Sequence, residues 1–360
     1  MQMPEGFPVA PMLAKAVDGI PDAAGLSYEP KWDGFRAIAY VGLDQPTGIA
    51  GSDTESRGGV ELDSRGAKPL TRYFPEVAAE LARQLTVPCV LDGEIVLRRG
   101  ASGAERLDWE ALSQRIHPAE SRINRLSAET PATFVAFDLL FLDGRSLLTE
   151  PFDVRRAALE LLFETVRAPL HITQSTRDVS RARQWLSMFE GAGLDGVVSK
   201  QLAAPYAPGK RTMFKTKHAR TADVVAIGYR IHKSGSGVGS LLVGLYGGDG
   251  TLFGVGGVSA FSDARRASLI EELEPLVARD GAGEAITGES DRSRFSGNRD
   301  VSFVTLRPER VLEVHYDHME GSRFRHTAQF ARWRPDRDAR SCTFEQLEVP
   351  VAYDLGELLT

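Results

Sequence analysis

Two cysteines in 360 residues, Cys89 and Cys342, are too few for a disulfide framework or a cysteine-built zinc site. No apolar run approaches the roughly 18 residues that a bilayer span requires. The opening "MQMPEGFPVAPMLAKA" lacks the basic-then-apolar order of a secretory signal. Repeats and low-complexity tracts are missing too, which removes solenoid and linker-type readings. A soluble, cytoplasmic chain with no membrane partner is expected. Cations are also in short supply: 43 Lys and Arg stand against 49 Asp and Glu, a net charge of −6. Taken as a sum, that balance argues against a nucleic-acid partner.

The distribution of charge reverses the argument. Residues 200–220, "KQLAAPYAPGKRTMFKTKHAR", hold six Lys or Arg and no acid, and residues 321–340 hold six Arg against two Asp. An acidic protein with two concentrated basic segments can still offer one face to a polyanion. At this length two domains are the default. Apolar strands are expected at 88–97, 133–142 and 195–200, and helical periodicity at 74–85, 107–116, 153–166 and 179–190. Beyond 217–223 the pattern turns to short strands separated by glycine-rich turns, interrupted by one helix at 263–277, which suggests a small barrel. Residues 41–60 and 98–106 read as loops, and 278–300 as a long mobile loop within the second domain. A hinge is expected near Ala222 and Asp223.

What the chain does have is charge inside apolar strands. The stretch "YEPKWDGFRAIAYV" crowds Glu29, Lys31, Asp33 and Arg36 into the turn before an alternating strand. Asp92 and Glu94 punctuate "VLDGEIVL", Asp138 sits in "VAFDLLFLDG", Asp195 and Lys200 bracket "DGVVSK", and Lys215 and Lys217 occur in "FKTK". Period-2 alternation projects each set from one sheet face. Buried carboxylates and lysines are costly unless they pair or hold a ligand. The alternative is a set of separate surface ion pairs, including a solvated hairpin edge at 28–41. Several such strands together point instead to an anion-plus-metal site, with Glu94 and Asp195 as oxygen ligands for Mg²⁺ and the lysines for phosphate. Lys31 is the candidate nucleophile. A lysine attacks only as the free amine, and Lys200, Lys215, Lys217 and a metal nearby would favour that form.

These residues carry a resemblance. Lys31-Trp32-Asp33-Gly34-Phe35-Arg36 matches the KxDGxR signature of the covalent nucleotidyltransferases, which comprise DNA ligases, RNA ligases and mRNA-capping enzymes. The family's other motifs follow in order: Ser64-Arg65-Gly66, Asp92-Gly93-Glu94, Phe137-Asp138, Asp195 to Lys200, and Lys215-Thr216-Lys217. The C-terminal "RFRHTAQFARWRPDR" resembles the end of a ligase OB domain. The match spans nearly the whole chain and is nearest the minimal bacterial ATP-dependent DNA ligases, resembling ligase C and the ligase domain of ligase D.

The resemblance implies an α+β fold: an adenylation (nucleotidyltransferase) domain of antiparallel sheets with flanking helices over 1–219, then an OB-fold β-barrel domain over 220–360. It implies that Lys31 attacks ATP to give a lysyl-AMP, that AMP passes to the 5′-phosphate of nicked double-stranded DNA, and that the 3′-hydroxyl then displaces it. Glu29 would read the adenine amino group and Phe137 would stack on the ring. Arg36 and Glu94 would lie near the ribose, with Glu94 also near Mg²⁺ or Mn²⁺. Lys200, Lys215 and Lys217 would meet the nucleotide phosphates, and Arg65 the nick phosphate. Two positions depart from the family pattern. Asp195 stands where glutamate is usual, and the late motif reads Arg334-Pro335-Asp336-Arg337, with a planar guanidinium in place of the final lysine's ammonium. By resemblance that segment orients the pyrophosphate. A monomer working in bacterial DNA repair at the nucleoid, beside a primase-polymerase, completes the expectation. An RNA ligase or a GTP-using capping enzyme would share Lys31, and a non-catalytic nucleic-acid-binding module would share the fold. Labelling with α-labelled ATP or GTP separates these.

Overall fold

The computed structural model describes residues 5–43, 59–101, 103–189, 191–217, 220–289, 302–317, 319–347 and 353–359. The chain divides into two compact units, Met1–His218 with Pro350–Thr360, and Ala219–Val349. The loop expected at 41–60 lies outside the described residues over 44–58.

The first unit is built on two sheets. One runs Leu170–Ile172, Thr133–Leu142, Cys89–Val96, Phe35–Val41, Val60–Ser64, with Arg145–Ser146 beside Thr133–Leu142. The other runs Leu13–Ala16, Arg211–Thr216, Val197–Gln201, Leu26–Pro30. Pairing is antiparallel except for Leu13–Ala16 with Arg211–Thr216 and Leu170–Ile172 with Thr133–Leu142. Alternation explains how the larger sheet is covered on both faces. Ala37, Ala39 and Val41 pack with Val77 and Leu81 of helix Pro75–Gln84 and Leu159 of helix Phe152–Phe163. Ile38 and Tyr40, one position out of phase, join a separate cluster with Met213 of the second sheet. Each aliphatic side chain fully buried this way contributes about 1.5–3 kcal/mol.

Strands Cys89–Val96, Thr133–Leu142 and Val197–Gln201 and helices Pro75–Gln84, Phe152–Phe163 and Val179–Met188 stand where periodicity puts them. The helix expected over 107–116 is only Trp109–Ser113, because Asp108 caps it by accepting from the Ala111 N–H and it is five residues long. Helix Glu120–Glu129 escaped the periodicity because Ile123 is its one buried residue. The expected loop 98–106 contains a short pairing of Arg98–Arg99 with Arg106–Leu107.

Strand Leu170–Ile172 places an imidazole in the interior. Burial, with the Arg98 charge adding, pushes His171 down to about 4. The unfolded chain therefore takes up a proton near pH 6.5 that the fold refuses until about pH 4. Stability from this residue is complete above pH 6.5 and falls with pH below it, by on the order of 3 kcal/mol in all. His171→Leu is expected to flatten the acid side of the urea midpoint between pH 7 and pH 5 for the transition that reports the first unit. An unchanged slope contradicts this.

In the second unit, strand Arg220–Ile231 pairs with Val238–Tyr246, which pairs with Leu252–Ser259. Leu252–Ser259 then pairs in parallel with Ala328–Trp333, which pairs with Val311–Tyr316, and that strand returns to Arg220–Ile231. The ring is closed: five strands, with helix Asp263–Leu273 between the third and fourth in sequence. This is the topology of an OB barrel. Its interior is aliphatic, with Val224, Leu241, Val243, Val255, Leu312 and Val314 fully buried.

Three expectations need correction here. The hinge at Ala222 and Asp223 is instead the interior of a barrel strand, where Ala222 and Asp223 pair with Val314 and Glu313. A buried alanine in a ladder cannot act as a pivot. The stretch 278–300 is not all loop, since Thr287–Glu289 pairs with Ser302–Thr305, while 290–300 lies outside the described residues. Finally, the second domain does not extend to residue 360. Leu355, Leu358 and Leu359 are buried with Trp32, Val96 and Trp185 of the first unit, and Glu105 pins them through Leu355 N–H to Glu105 O at 2.9 Å. Apolar residues at 355, 358 and 359 on a short 3₁₀ turn find a core there.

Candidate active site

The motif lysine stands at a crossing between the two sheets. Leu26–Pro30 belongs to the four-stranded sheet and Phe35–Val41 to the larger one, so 28–41 is no hairpin. Glu29 pairs with Val198 and Tyr28 with Ser199 across the strand Val197–Gln201. At the end of that ladder the Lys31 N–H donates to Gly196 O at 2.8 Å and the Asp195 N–H donates to Lys31 O at 2.9 Å. The backbone thus brings residues 31 and 195 together, and Lys31 Nζ donates to Asp195 Oδ2 at 2.5 Å. Lys217 Nζ lies 3.1 Å from the same oxygen.

Glycines make the crossing possible. A Cβ on Gly34 would lie 2.1 Å from Ile95 O, and one on Gly196, which has φ of +133°, would lie 2.1 Å from Thr216 O. Gly34→Ala must push the loop carrying Lys31 off the neighbouring strand. Displacements of that kind cost about a hundredfold in rate, so Gly34→Ala is expected to slow nucleotide-adduct formation by about that factor while the barrel unit still unfolds at its usual midpoint. A variant that labels at the normal rate contradicts the geometry.

Beside Lys31 opens a cavity of about 420 Å³, lined by Glu29, Lys31, Arg36, Arg65, Glu94, Phe137, Lys200 and Lys215 among others. Eight of the sequence-derived candidates therefore share one wall. Asp195 and Lys217 reach it through Lys31. Arg334 and Arg337 belong to the second unit, where Arg334 Nη1 donates to both carboxylate oxygens of Asp223 at 3.0 Å each and Arg337 Nε lies 3.5 Å from Asp223 Oδ2. Arg334 also bonds Asp336, which holds the Asp336 carboxyl down at about 2.

Each candidate has a definite setting. Glu29 is 3% exposed; its Oε2 is 2.7 Å from Lys200 Nζ and its Oε1 is 3.9 Å from Arg156 Nη1. Burial raises its carboxyl, against the pull of Lys200 and Arg156. Lys200, expected on the phosphates, lines the cavity, is buried against Glu29, donates to Phe137 O at 2.9 Å and lies 5.0 Å from the Phe137 ring centroid. Val198 is the cross-strand partner of both Lys215 and Glu29, so period-2 projection puts Lys200 on the same sheet face as all three.

Arg36 is clamped by Asp92, Nε to Oδ1 at 2.9 Å and Nη2 to Oδ2 at 2.6 Å, and Tyr206 Oη donates to Asp92 Oδ2 at 2.6 Å. Burial works against the Arg36 charge, yet Asp92 outweighs it and the guanidinium stays charged. Arg36 also lies 5.3 Å from the Phe137 ring centroid, so that ring has two cations within cation–π range. Burial pushes the Glu94 carboxyl up to about 7, opposed by the Lys31 and Arg36 charges and by the Gly34 N–H that donates to Oε1 at 3.1 Å. Lys215 is lowered by burial first, then by repulsion from Lys31 and Lys217. Asp195 is held low despite burial, because Lys31 and Lys217 flank it.

The wall fits a nucleoside triphosphate. Its volume lies within the usual range for ligand pockets. A buried carboxylate oxygen without a hydrogen-bond partner among the described residues, Glu29 Oε1, suits a purine amino group, and Phe137 offers a ring face. Lys31, Lys215 and Arg65 supply charge for phosphates. For a metal the donor set is thin: among the described residues no three His, Cys, Asp or Glu side chains gather to hold one. Glu94, a half-buried carboxylate on that wall, suits Mg²⁺ or Mn²⁺ that takes its remaining ligands from phosphate and water. Asp195 does not fit that set, since two ammonium groups already occupy its Oδ2. Sequence reasoning missed Tyr206 and Arg156, whose signals, a tyrosine in "PYAPGK" and an arginine within a helix, are ordinary. Asp92 was visible only as a motif neighbour of Glu94.

A lysine in a nucleotide-sized cavity on a two-sheet unit, followed in sequence by a closed five-stranded barrel, defines the class of covalent nucleotidyltransferases. Comparison with known proteins narrows it. Residues 11–217 match the ATP dependent DNA ligase domain and residues 234–337 the ATP dependent DNA ligase C terminal region. The chain is 51% identical to DNA ligase C1 of Mycolicibacterium smegmatis over 100% of this chain and 99% of that one. It is 30% identical to the multifunctional non-homologous end joining DNA repair protein LigD of Mycobacterium tuberculosis, covering 91% of this chain and 39% of that protein. A solved Lig E DNA ligase shares the fold, with a TM-score of 0.55 at 17% identity over 91% of this chain and 100% of that one. The chain belongs to the ATP-dependent DNA ligase family.

Proposed function

We propose that this chain seals nicks in double-stranded DNA, with Lys31 as the nucleophile that takes AMP from ATP. The observation that carries the reading is the cavity itself, where Lys31 shares one wall with Glu29, Phe137, Glu94 and Lys215. Lys31 Nζ attacks the α-phosphorus; an N–P bond forms, the bond to pyrophosphate breaks, and the amine loses its proton. Asp195 holds Nζ toward the cavity. Its depressed carboxyl makes it an orienting acceptor rather than a store for that proton. Glu29 accepts from the adenine amino group, Phe137 stacks on the ring and Arg36, fixed by Asp92, meets the ribose. Lys215, with Lys217 close behind, offsets negative charge that grows on the phosphates. Lys200 holds Glu29 and, from the same cavity wall, adds charge toward the nucleotide phosphates.

The 5′-phosphate oxygen at the nick then displaces Lys31 from AMP, with Arg65 as its docking charge. The 3′-hydroxyl finally attacks the 5′-phosphate phosphorus: an O–P bond forms, the bond to AMP breaks, and the hydroxyl loses its proton. Glu94 would hold Mg²⁺ or Mn²⁺, which supplies charge neutralisation at the phosphates. Arg334 and Arg337 are the late-motif candidates for pyrophosphate, a role that means exchanging Asp223 for phosphate oxygens. The adenylation domain is assigned to 1–219 with the C-terminal segment added, and the OB domain to the barrel between. The end-joining relative supports a repair setting; action as a monomer at the nucleoid, beside a primase-polymerase, extends the same reading.

Incubation with α-labelled ATP or GTP, followed by nicked duplexes with DNA or RNA on each side, tests the proposal. Label retained from ATP and chased onto the nick is the expected result. Retention from GTP alone, or an adduct that no nicked duplex discharges, overturns it.

A further inference from the structure

The buried surroundings of Glu29 contain a second cation that the mechanism does not use. Arg156, on helix Phe152–Phe163, donates from Nε to Glu160 Oε1 at 2.7 Å and from Nη2 to Thr173 O at 2.9 Å. Those two bonds leave Nη1 aimed at Glu29 Oε1, 3.9 Å away, and both atoms are buried with no hydrogen-bond partner among the described residues. Thr173 also accepts from Trp32 Nε1 at 2.8 Å, so one residue anchors both Arg156 and the neighbour of Lys31.

We propose that Arg156 is a positioning residue for base selection: by facing Glu29 Oε1 it keeps that side chain an oriented carboxylate, and so makes the site prefer a 6-amino purine over a 6-oxo purine. The proposal rests on Glu29 as the base reader. A carboxylate only accepts hydrogen bonds, so it welcomes the amino group of adenine and repels the carbonyl oxygen that guanine or hypoxanthine carries at the same place. A neutral carboxyl has an O–H that donates to that carbonyl, and the preference shrinks. Three charged groups bear on Glu29 from the elements packed around it: Lys200 from strand Val197–Gln201, Arg156 from the helix, and Asp138 from strand Thr133–Leu142. Asp138 pushes toward the neutral form but is itself neutralised by a bidentate pair with Arg155. Burial also favours the neutral form. Lys200 alone then holds Oε2, and the Oε1 edge depends on Arg156.

The test is covalent labelling with α-labelled ATP, GTP and ITP by the full chain and its Arg156→Gln, Arg156→Lys and Glu29→Ala variants, at pH 8 and pH 6. Arg156→Gln is expected to lower the ATP-to-ITP labelling preference by about tenfold, through a higher KM for ATP at a little-changed maximal rate. The loss should be larger at pH 6 than at pH 8, and Arg156→Lys should restore most of the preference. Arg156→Gln that slows all three nucleotides equally, or leaves the ratios untouched, overturns the proposal. Glu29→Ala that keeps the full preference overturns the base-reader reading instead, so the two failures are distinguishable.

Discussion

Lys31→Ala is expected to abolish the covalent adenylate and, with it, ATP-driven sealing, to below about a thousandth of the wild-type rate. No other amine stands where it could substitute. Lys200 and Lys215 also line the cavity and Lys217 also pairs with Asp195, but among the described lysines Lys31 combines both, lining the cavity with its Nζ held by Asp195. Lys31→Arg should fail as completely, because a guanidinium keeps its proton and does not attack phosphorus. The same Lys31→Ala protein should still seal a nick that already carries a 5′-adenylate, since that step needs no lysine nucleophile. This second measurement separates lost chemistry from a lost fold. Lys215→Ala should behave differently, forming the adduct about a hundredfold more slowly, as removal of one charge-stabilising donor does. A Lys31→Ala variant that still takes up label would mean that the nucleophile lies elsewhere.

The largest effect on stability is expected at Arg155. Its guanidinium is 0% exposed and grips Asp138, 1% exposed, through Nε to Oδ1 at 2.8 Å and Nη2 to Oδ2 at 2.9 Å. Its remaining nitrogen donates to Glu150 O at 2.6 Å and Ala204 O at 3.2 Å. Arg155→Ala leaves a carboxylate in the core with no countercharge and two carbonyls without a donor. Breaking one partner of such a pair costs about 3–5 kcal/mol, read as a lower urea midpoint for the first unit. Replacing both, as Asp138→Leu with Arg155→Met, should recover much of that loss because no charge is left stranded. Since Phe137 precedes Asp138 on the same strand, the single variant should also weaken ATP labelling at temperatures where it remains folded. A single variant that loses less than about 1 kcal/mol contradicts this account of the core.

How much was legible beforehand depended on whether a feature is local in the chain. Helix Pro75–Gln84 and strand Thr133–Leu142 follow from periodicity, which belongs to the segment itself. The pocket members were legible because each motif keeps its own alternation, and alternation aims side chains whatever the strand's neighbours. Pairing was not legible. Nothing within 28–41 says that its two strands enter different sheets, or that Lys31 meets Asp195 across a backbone ladder. The ion pairs of Lys200 with Glu29 and of Asp195 with Lys31 were hidden for this reason, because their residue types suggest phosphate and metal while register sets which side chains meet. Arg156 was invisible, because a helix arginine is ordinary until the carboxylate opposite it is known. The last residues were read as barrel because they follow it, although burial of Leu355, Leu358 and Leu359 ties them to the unit at the start of the chain.

The central claim is that one lysine carries AMP to a nick. It is tested most directly by allowing the protein to react with ATP, digesting it and locating the adenylate by mass spectrometry, before and after adding nicked duplex. The account predicts AMP on the peptide containing Lys31, and its disappearance from that peptide as the nick closes. An adenylate on Lys215 or Lys217, or an adduct on Lys31 that persists while nicks are sealed, would contradict it.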